Sequence, residues 1–178
     1  MDKLDIVTDE SGNKVVLLPE IIFSNKQNIN WNDVEDYLGK YVGELIEIAE
    51  TRDIIYIGNK FPDEYGGSSY TRKTKGARAK AKANAAQGIR EMVEIATDKV
   101  YRENHKEKHS EDAHNGWFYY VTRFAIPLYN NEKKTREYNV YSACLVVNHA
   151  ANGKMYLYDI MNIKKETSTL FQSEDITQ

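Results

Sequence analysis

After residue 116 the apolar pattern of this chain changes to a period of two, and that change limits the possible folds more than any other feature. GWFYYVTRFAIPLY (116–129), YNVYSACLVV (138–147) and KMYLYDIMNI (154–163) are rich in aromatic and β-branched residues, as strands with one buried face are. A polar turn from Asn130 to Arg136 joins the first two. The tight link HAANGK joins the second and third, and its Asn152-Gly153 pair is a strong hairpin signal. Strands joined by such short links run antiparallel, so the second half of the chain is expected to be a meander.

The first half carries helical spacing. Asn30 or Asn32 can cap a helix that has Asp33 and Glu35 in its first turn. Val34, Tyr37, Leu38, Tyr41, Leu45, Ile46 and Ile48 continue it to about Ala49, with Gly39 and Gly43 as weak points. Ile54–Ile57 reads as a short buried strand ending at Gly58. FPDEYGGSSY (61–70) reads as a loop, because of its proline and paired glycines. Before residue 30 only KVVLLPEIIF suggests a strand, broken at Pro19. TDKVYRENHKEKHSEDAHNG (97–116) reads as a charged link, and the chain loses its period after Ile163. The expected fold is α+β, with N-terminal helices on one face of an antiparallel meander of about four strands. Residues 1–168 would form one domain and residues 169–178 a flexible tail.

Between the expected loop and the charged link lies YTRKTKGARAKAKANAAQGIREMVEIA (70–96). Arg72, Lys73, Lys75, Arg78, Lys80 and Lys82 fall within it with no acidic residue between them, in a chain of formal net charge -3. Ala77, Ala81, Ala85, Ile89, Met92, Val93 and Ala96 follow at helical spacing, so one side can pack on a core. At 100° per residue Lys75, Arg78 and Lys82 share a face and Lys80 does not. A helix start of this kind presents cations together with unpaired backbone N–H groups, and both favour phosphate. A solvated helix face is the plainer reading of the same residues.

Composition narrows the function classes. One cysteine, Cys144, in the apolar run SACLVV, gives no disulfide framework and fits a reducing compartment. No apolar run reaches the roughly 18 residues of a membrane helix, and the acidic start MDKLDIVTDE is unlike a signal peptide. A cytoplasmic protein without a membrane partner is expected. Thirteen tyrosines against three prolines suit half-exposed strands and ligand-facing surfaces.

The motifs for several chemistries are missing. His105 and His109 lie four apart, but the run is His-Lys-Glu-Lys-His, so the glutamate does not follow the first histidine as zinc peptidases need. Glu111, Asp112 or His114 could complete a metal site, yet a solvated link is the simpler reading; neither a metal nor a cofactor is assigned. There is no phosphate-binding G-x-x-x-x-G-K-[ST] loop and no G-x-S-x-G elbow. Metal-free cleavage of RNA needs less, because the 2′-hydroxyl is the nucleophile. An acid, a base and cations for the developing charge suffice. Arg123 on the first strand, Tyr141 on the second and the Lys164-Lys165-Glu166-Thr167-Ser168 cluster after the third can supply such groups.

Four phrases carry a resemblance across roughly Lys14 to Ser168: IYIGNKFPDEYGGSSYT, AKAKANAAQGIREMVEIAT, ENHKEKHSEDAHNGWFYYVTRFAIPLY and KMYLYDIMNIKKETS. Together they resemble a domain associated with large polyvalent proteins of phages and mobile elements, assigned to the barnase, EndoU, colicin and RelE-like nuclease superfamily. The resemblance implies helices followed by a four-stranded antiparallel sheet, and a metal-independent endoribonuclease of phage or mobile-element origin, in the manner of a toxin or effector. On the matching phrases His109 is the expected general acid or base, with Tyr141 as the alternative proton carrier. Lys82, Arg123 and Lys165 would neutralise phosphate and Thr167 would donate a hydrogen bond to it. Arg72, Lys73, Lys75, Arg78 and Lys80 would hold the RNA backbone, and Tyr119 and Tyr138 would stack a base of a single strand. RNA is the expected partner, with a cognate immunity protein as a second. A binding module on the same fold, without catalysis, is the alternative.

Overall fold

The computed structural model describes residues 3–24, 28–104, 113–128 and 135–173. Two short strands come first, β1 (Ile6–Thr8) and β2 (Lys14–Leu17), joined by a turn in which Asp9 accepts from the Ser11 and Asn13 amides. Helix α1 (Trp31–Leu38) begins at Asn30, whose side chain accepts from the Asn32 amide. Strands β3 (Leu45–Glu47) and β4 (Ile54–Tyr56) follow. Next come α2 (Phe61–Gly67), α3 (Ser69–Lys73), α4 (Gly76–Ala85) and α5 (Ile89–Glu94), and then β5 (Thr97–Arg102). The long strands β6 (Trp117–Leu128), β7 (Thr135–His149) and β8 (Met155–Ser173) complete the chain.

β6, β7 and β8 pair antiparallel in that order, with Phe124 opposite Tyr141 and Leu145 opposite Ile160. The sheet around them differs from the expected four-stranded antiparallel meander. It has eight strands, is mixed, and curls as a half-barrel. β2 lies parallel to one end of the outer edge of β6, with Val16 opposite Phe124, and β1 pairs antiparallel with β2. β5 occupies the other end of that edge, with Tyr101 opposite Phe118. On the far side β4 lies parallel to β8, with Ile55 opposite Met155, and β3 closes the order antiparallel to β4. The helices therefore do not precede the sheet. They are the crossover that carries the chain from the edge at β2 to the edge at β4 and back to β5.

Local chemistry explains each departure from the expected pattern. The helix expected as far as Ala49 ends at Leu38, and after one 3-10 turn Gly43 takes φ +93°. Only a residue without Cβ adopts that angle readily, and it turns the chain into β3, where Ile46 is buried between exposed Leu45 and Glu47. The expected loop at 61–70 is instead α2 and the start of α3. Pro62 sits in the first turn of α2, where its missing N–H costs nothing, beside Asp63 and Glu64, which suit the positive helix end. Gly66 is a packing glycine, since a Cβ there would collide with the Glu35 side chain of α1. The charged link opens with β5, all of it exposed beyond Thr97 and distorted at Asp98, φ 57°, so it has no alternation to read. β8 continues past Ile163 to Ser173 opposite Thr135, through the stretch read as the end of the domain and its tail. Register shifts and a left-handed Asn162, φ 52°, break its period.

The main core lies between the inner sheet face and the helices. Tyr120, Phe124, Leu145, Val147 and Ile160 meet Ala81, Ala85, Ile89, Met92 and Val93 there. Every residue from Ala81 to Ile89 is buried, so α4 passes through the core rather than lying on it. Its polar side chains are used as ties. The Asn84 side chain accepts from the Ile22 and Phe23 amides and donates to Phe23 and Lys80 carbonyls, and Gln87 donates to the Glu20 carbonyl. Helix-end carbonyls find side-chain donors too: Tyr41 reaches Ala86 at 2.7 Å and Thr122 reaches Met92 at 2.7 Å. A second cluster on the other sheet face joins Val15, Leu17, Ala125, Tyr138 and Val140. No helix among the described residues is long and apolar enough to cross a membrane.

Candidate phosphate-binding cleft

The turn between α3 and α4 gathers the basic residues. Ser68 caps α3 by accepting from the Thr71 amide, and its hydroxyl donates to Thr71 Oγ1 at 3.0 Å. Thr71 Oγ1 donates to the Tyr65 carbonyl at 2.6 Å, which locks α3 against α2. Arg72 and Lys73 stand in the last turn of α3, where the helix dipole favours cations. Gly76, φ +61°, then redirects the backbone into α4, whose first turn has no side-chain cap. Tyr70, Lys73, Thr74, Lys75, Ala77 and Arg78 line a cleft of about 470 Å³ at this turn. Arg72 is exposed outside that lining, and Lys80 is half-buried further along α4.

Tyr70 joins the cleft to the sheet. Its hydroxyl accepts from the Ile163 amide at 2.9 Å, so β8 touches the cleft wall immediately before the exposed Lys164 and Lys165. Lys165 is the cross-strand partner of Tyr141. Tyr141 is 6% exposed, stacked on Phe124 with centroids 5.5 Å apart, and burial raises its pKa, so it remains a neutral phenol.

Behind Tyr70 lies Lys82. Its expected place was beside phosphate, on one face with Lys75 and Arg78, but its side chain is fully enclosed. Its Nζ is 2.6 Å from Asp159 Oδ1, and Asp159 is enclosed as well. The ammonium lies 4.6 Å from the Tyr65 ring centroid and 5.0 Å from that of Tyr70. Asp159 Oδ1 also accepts from the Ile160 amide at 2.8 Å, and the Tyr65 hydroxyl donates to the Lys82 carbonyl. Burial lowers the lysine pKa and raises that of the aspartate, and the attraction between the two opposes both shifts. The pair is a structural element beneath the cleft floor.

The other residues expected at a site are spread over the sheet. Arg123 is half-buried, with Nε 3.1 Å from Glu166 Oε1, and shares a cross-strand row with Ser142 and Lys164. Tyr119 is half-buried, with its pKa raised by burial. Tyr138 is 3% exposed within the second core cluster, which leaves its ring no free face for a base. His109 lies outside the described residues, as do His105 and the Thr167 side chain. Tyr70 and Asp159 did not stand out in the sequence. An aspartate within the apolar run YLYDIM was the available sign of a buried partner for a lysine.

The cleft at the α3–α4 turn is lined by three cations, Lys73, Lys75 and Arg78, and by Tyr70, an arrangement that can hold an anion. Comparison with known protein families, with characterised proteins and with solved structures gives no match for this chain.

Proposed function

We propose that this protein acts on single-stranded RNA, holding the phosphodiester backbone at the cleft between α3 and α4 and cleaving it without a metal ion. The observation that carries the reading is the bond between Tyr70 and Ile163. It brings three sets of groups that suit an RNA strand to one end of the molecule: the Lys73, Lys75 and Arg78 cations, the Tyr70 ring, and the Lys164-Lys165 pair. Phosphate neutralisation and stacking on a ring are the two interactions a single strand offers irrespective of its sequence. The resemblance to phage nuclease domains supports the chemistry. The 2′-hydroxyl gives up its proton and attacks the adjacent phosphorus, the P–O5′ bond breaks and the 5′-oxygen leaves as a protonated hydroxyl; His109 is the acid or base in that exchange, and a lysine bears the charge on the phosphoryl oxygens. Tyr141, held neutral by burial, acts in this scheme only as a proton donor. A phage or mobile-element effector working in the cytoplasm, restrained by an immunity protein, is the setting that fits.

A second reading is RNA binding without cleavage. Two of the cations assigned to phosphate already have carboxylate partners, Lys82 with Asp159 and Arg123 with Glu166, and this favours it. One experiment separates the two. RNA incubated with the protein in EDTA should yield 2′,3′-cyclic or 3′-phosphate ends that are lost in His109→Ala. RNA that stays intact while bound, with affinity reduced by Lys75→Ala and Arg78→Ala, leaves the binding function alone.

A further inference from the structure

The two helices that carry the cleft cations are each tied to strand β8. On α3 the Tyr70 hydroxyl accepts from the Ile163 amide at 2.9 Å. On α4 Lys82 Nζ reaches Asp159 Oδ1 at 2.6 Å, with both side chains fully enclosed. Asp159 Oδ1 is held in its turn by the Ile160 amide at 2.8 Å. The two anchors stand four residues apart on one strand, and the Lys82 ammonium lies 5.0 Å from the centroid of the Tyr70 ring. Tyr70, Ile163, Asp159 and Lys82 thus close a circuit through α3, β8 and α4. Bonds within the turn itself hold only its first half. The Thr74 amide and hydroxyl close α3 on the Tyr70 and Thr71 carbonyls, whereas Lys75 precedes α4 without a side-chain cap and Gly76 takes φ +61°. Asn84 ties the far end of α4 to residues 22 and 23, and Lys82 ties it to the strand that also holds Tyr70. The separation of Lys73 on α3 from Arg78 on α4 follows from these anchors.

We propose that Lys82 and Asp159 are positioning residues for the cleft: without touching the ligand, the pair fixes Tyr70 and the start of α4 so that Lys73, Lys75 and Arg78 meet one anion. This role rests on the cleft being an anion site. Stability alone does not account for the pair, because packed apolar side chains of similar volume hold a core as well as a buried ion pair does. What apolar side chains do not reproduce is direction. A charge-assisted hydrogen bond fixes both distance and orientation, and its ammonium lies against the ring of a tyrosine that lines the cleft.

Lys82→Met/Asp159→Leu in the whole chain separates positioning from stability. Fluorescence anisotropy with labelled oligouridylate and calorimetry with inorganic tripolyphosphate read the cleft, and urea denaturation reads the fold. The double variant should keep a urea midpoint close to wild type and bind both probes about fivefold or more weakly. Its slope of log RNA affinity against log salt should stay unchanged, because no cation leaves the cleft lining. Tyr70→Phe keeps the ring beside Lys82 and removes the Ile163 bond, so it should weaken both probes in the same way. It decides the matter if the double variant does not fold. Wild-type affinity in the folded double variant, or in Tyr70→Phe, overturns the proposal. So does a slope lowered by roughly 0.7, which would put the Lys82 ammonium on phosphate itself. RNA bound equally by wild type and variants removes the positioning pair and leaves the RNA reading. Tripolyphosphate bound with the expected losses, but no RNA bound, keeps the pair and removes the RNA reading. A wild type that binds neither probe overturns both.

Discussion

Lys82 Nζ and Asp159 Oδ1 lie 2.6 Å apart with both side chains excluded from solvent, so helix α4 is tied to strand β8 by an ion pair within the core. Removing one member strands the other charge in a medium that cannot solvate it. Lys82→Met should therefore destabilise the fold by about 3–5 kcal/mol, measured by urea denaturation at neutral pH. Lys82→Met/Asp159→Leu should recover most of that loss, because it leaves no charge to desolvate. The single variant should suffer less near pH 5 than near pH 8. A lone buried Asp159 has its folded pKa above the unfolded value, and stability is lost as pH rises through the folded pKa.

The cleft predicts a salt signature. Lys73→Ala, Lys75→Ala and Arg78→Ala each remove one cation from its lining. Each should weaken binding of single-stranded RNA about equally across sequences, and lower the slope of log affinity against log salt by roughly 0.7. Anisotropy titrations at several salt concentrations read both. Lys80→Ala, outside the lining, should change the slope less.

Asp53 sets a pH dependence of folding. Burial alone would raise its pKa, but hydrogen bonds from Lys99, Thr51 and Tyr120 outweigh burial and hold it below its ordinary 3.8. A carboxyl lowered on folding stabilises above its unfolded pKa, and the stabilisation is lost as pH falls through the folded value. Asp53→Asn should therefore cost about 1–3 kcal/mol at pH 7. The gap between variant and wild type in urea midpoint should close below pH 4. A gap that persists at pH 2 would contradict this.

Gly88 lies in a closely packed part of the core. A Cβ there would stand 3.1 Å from Leu18 Cδ2 and 3.3 Å from Val16 Cγ1, both fully buried. Gly88→Ala should destabilise by about 1–3 kcal/mol through overpacking, and Gly88→Val by more. Thermal or urea unfolding measures the difference. Gly67→Ala, in α2 with nothing within 4 Å of the added methyl, is the control and should be close to neutral.

Much of the meander was legible because its strands are long. β6 and β7 run for 12 and 15 residues, enough for a period of two to emerge from noise, and Asn152-Gly153 fixed the turn between β7 and β8. The basic turn was legible as charge, since Arg72 to Lys82 excludes acidic residues within it. Its division was not. Lys75 and Arg78 remain at the cleft while Lys82, on the same nominal helix face, enters the core. Periodicity assigns a face to a residue but does not say where along its length a helix becomes enclosed.

Sequence alone therefore determined that this chain is α+β, with a meander in its second half and one concentrated cationic segment before it. These follow from spacing and composition within short windows, which local physics fixes. Tertiary structure decided the rest. β1 and β3, of three residues each, hold too few side chains to show a period, and only their pairing with β2 and β4 defines them. The partners of Lys82 and of Tyr70 lie 77 and 93 residues away, at separations no local pattern encodes.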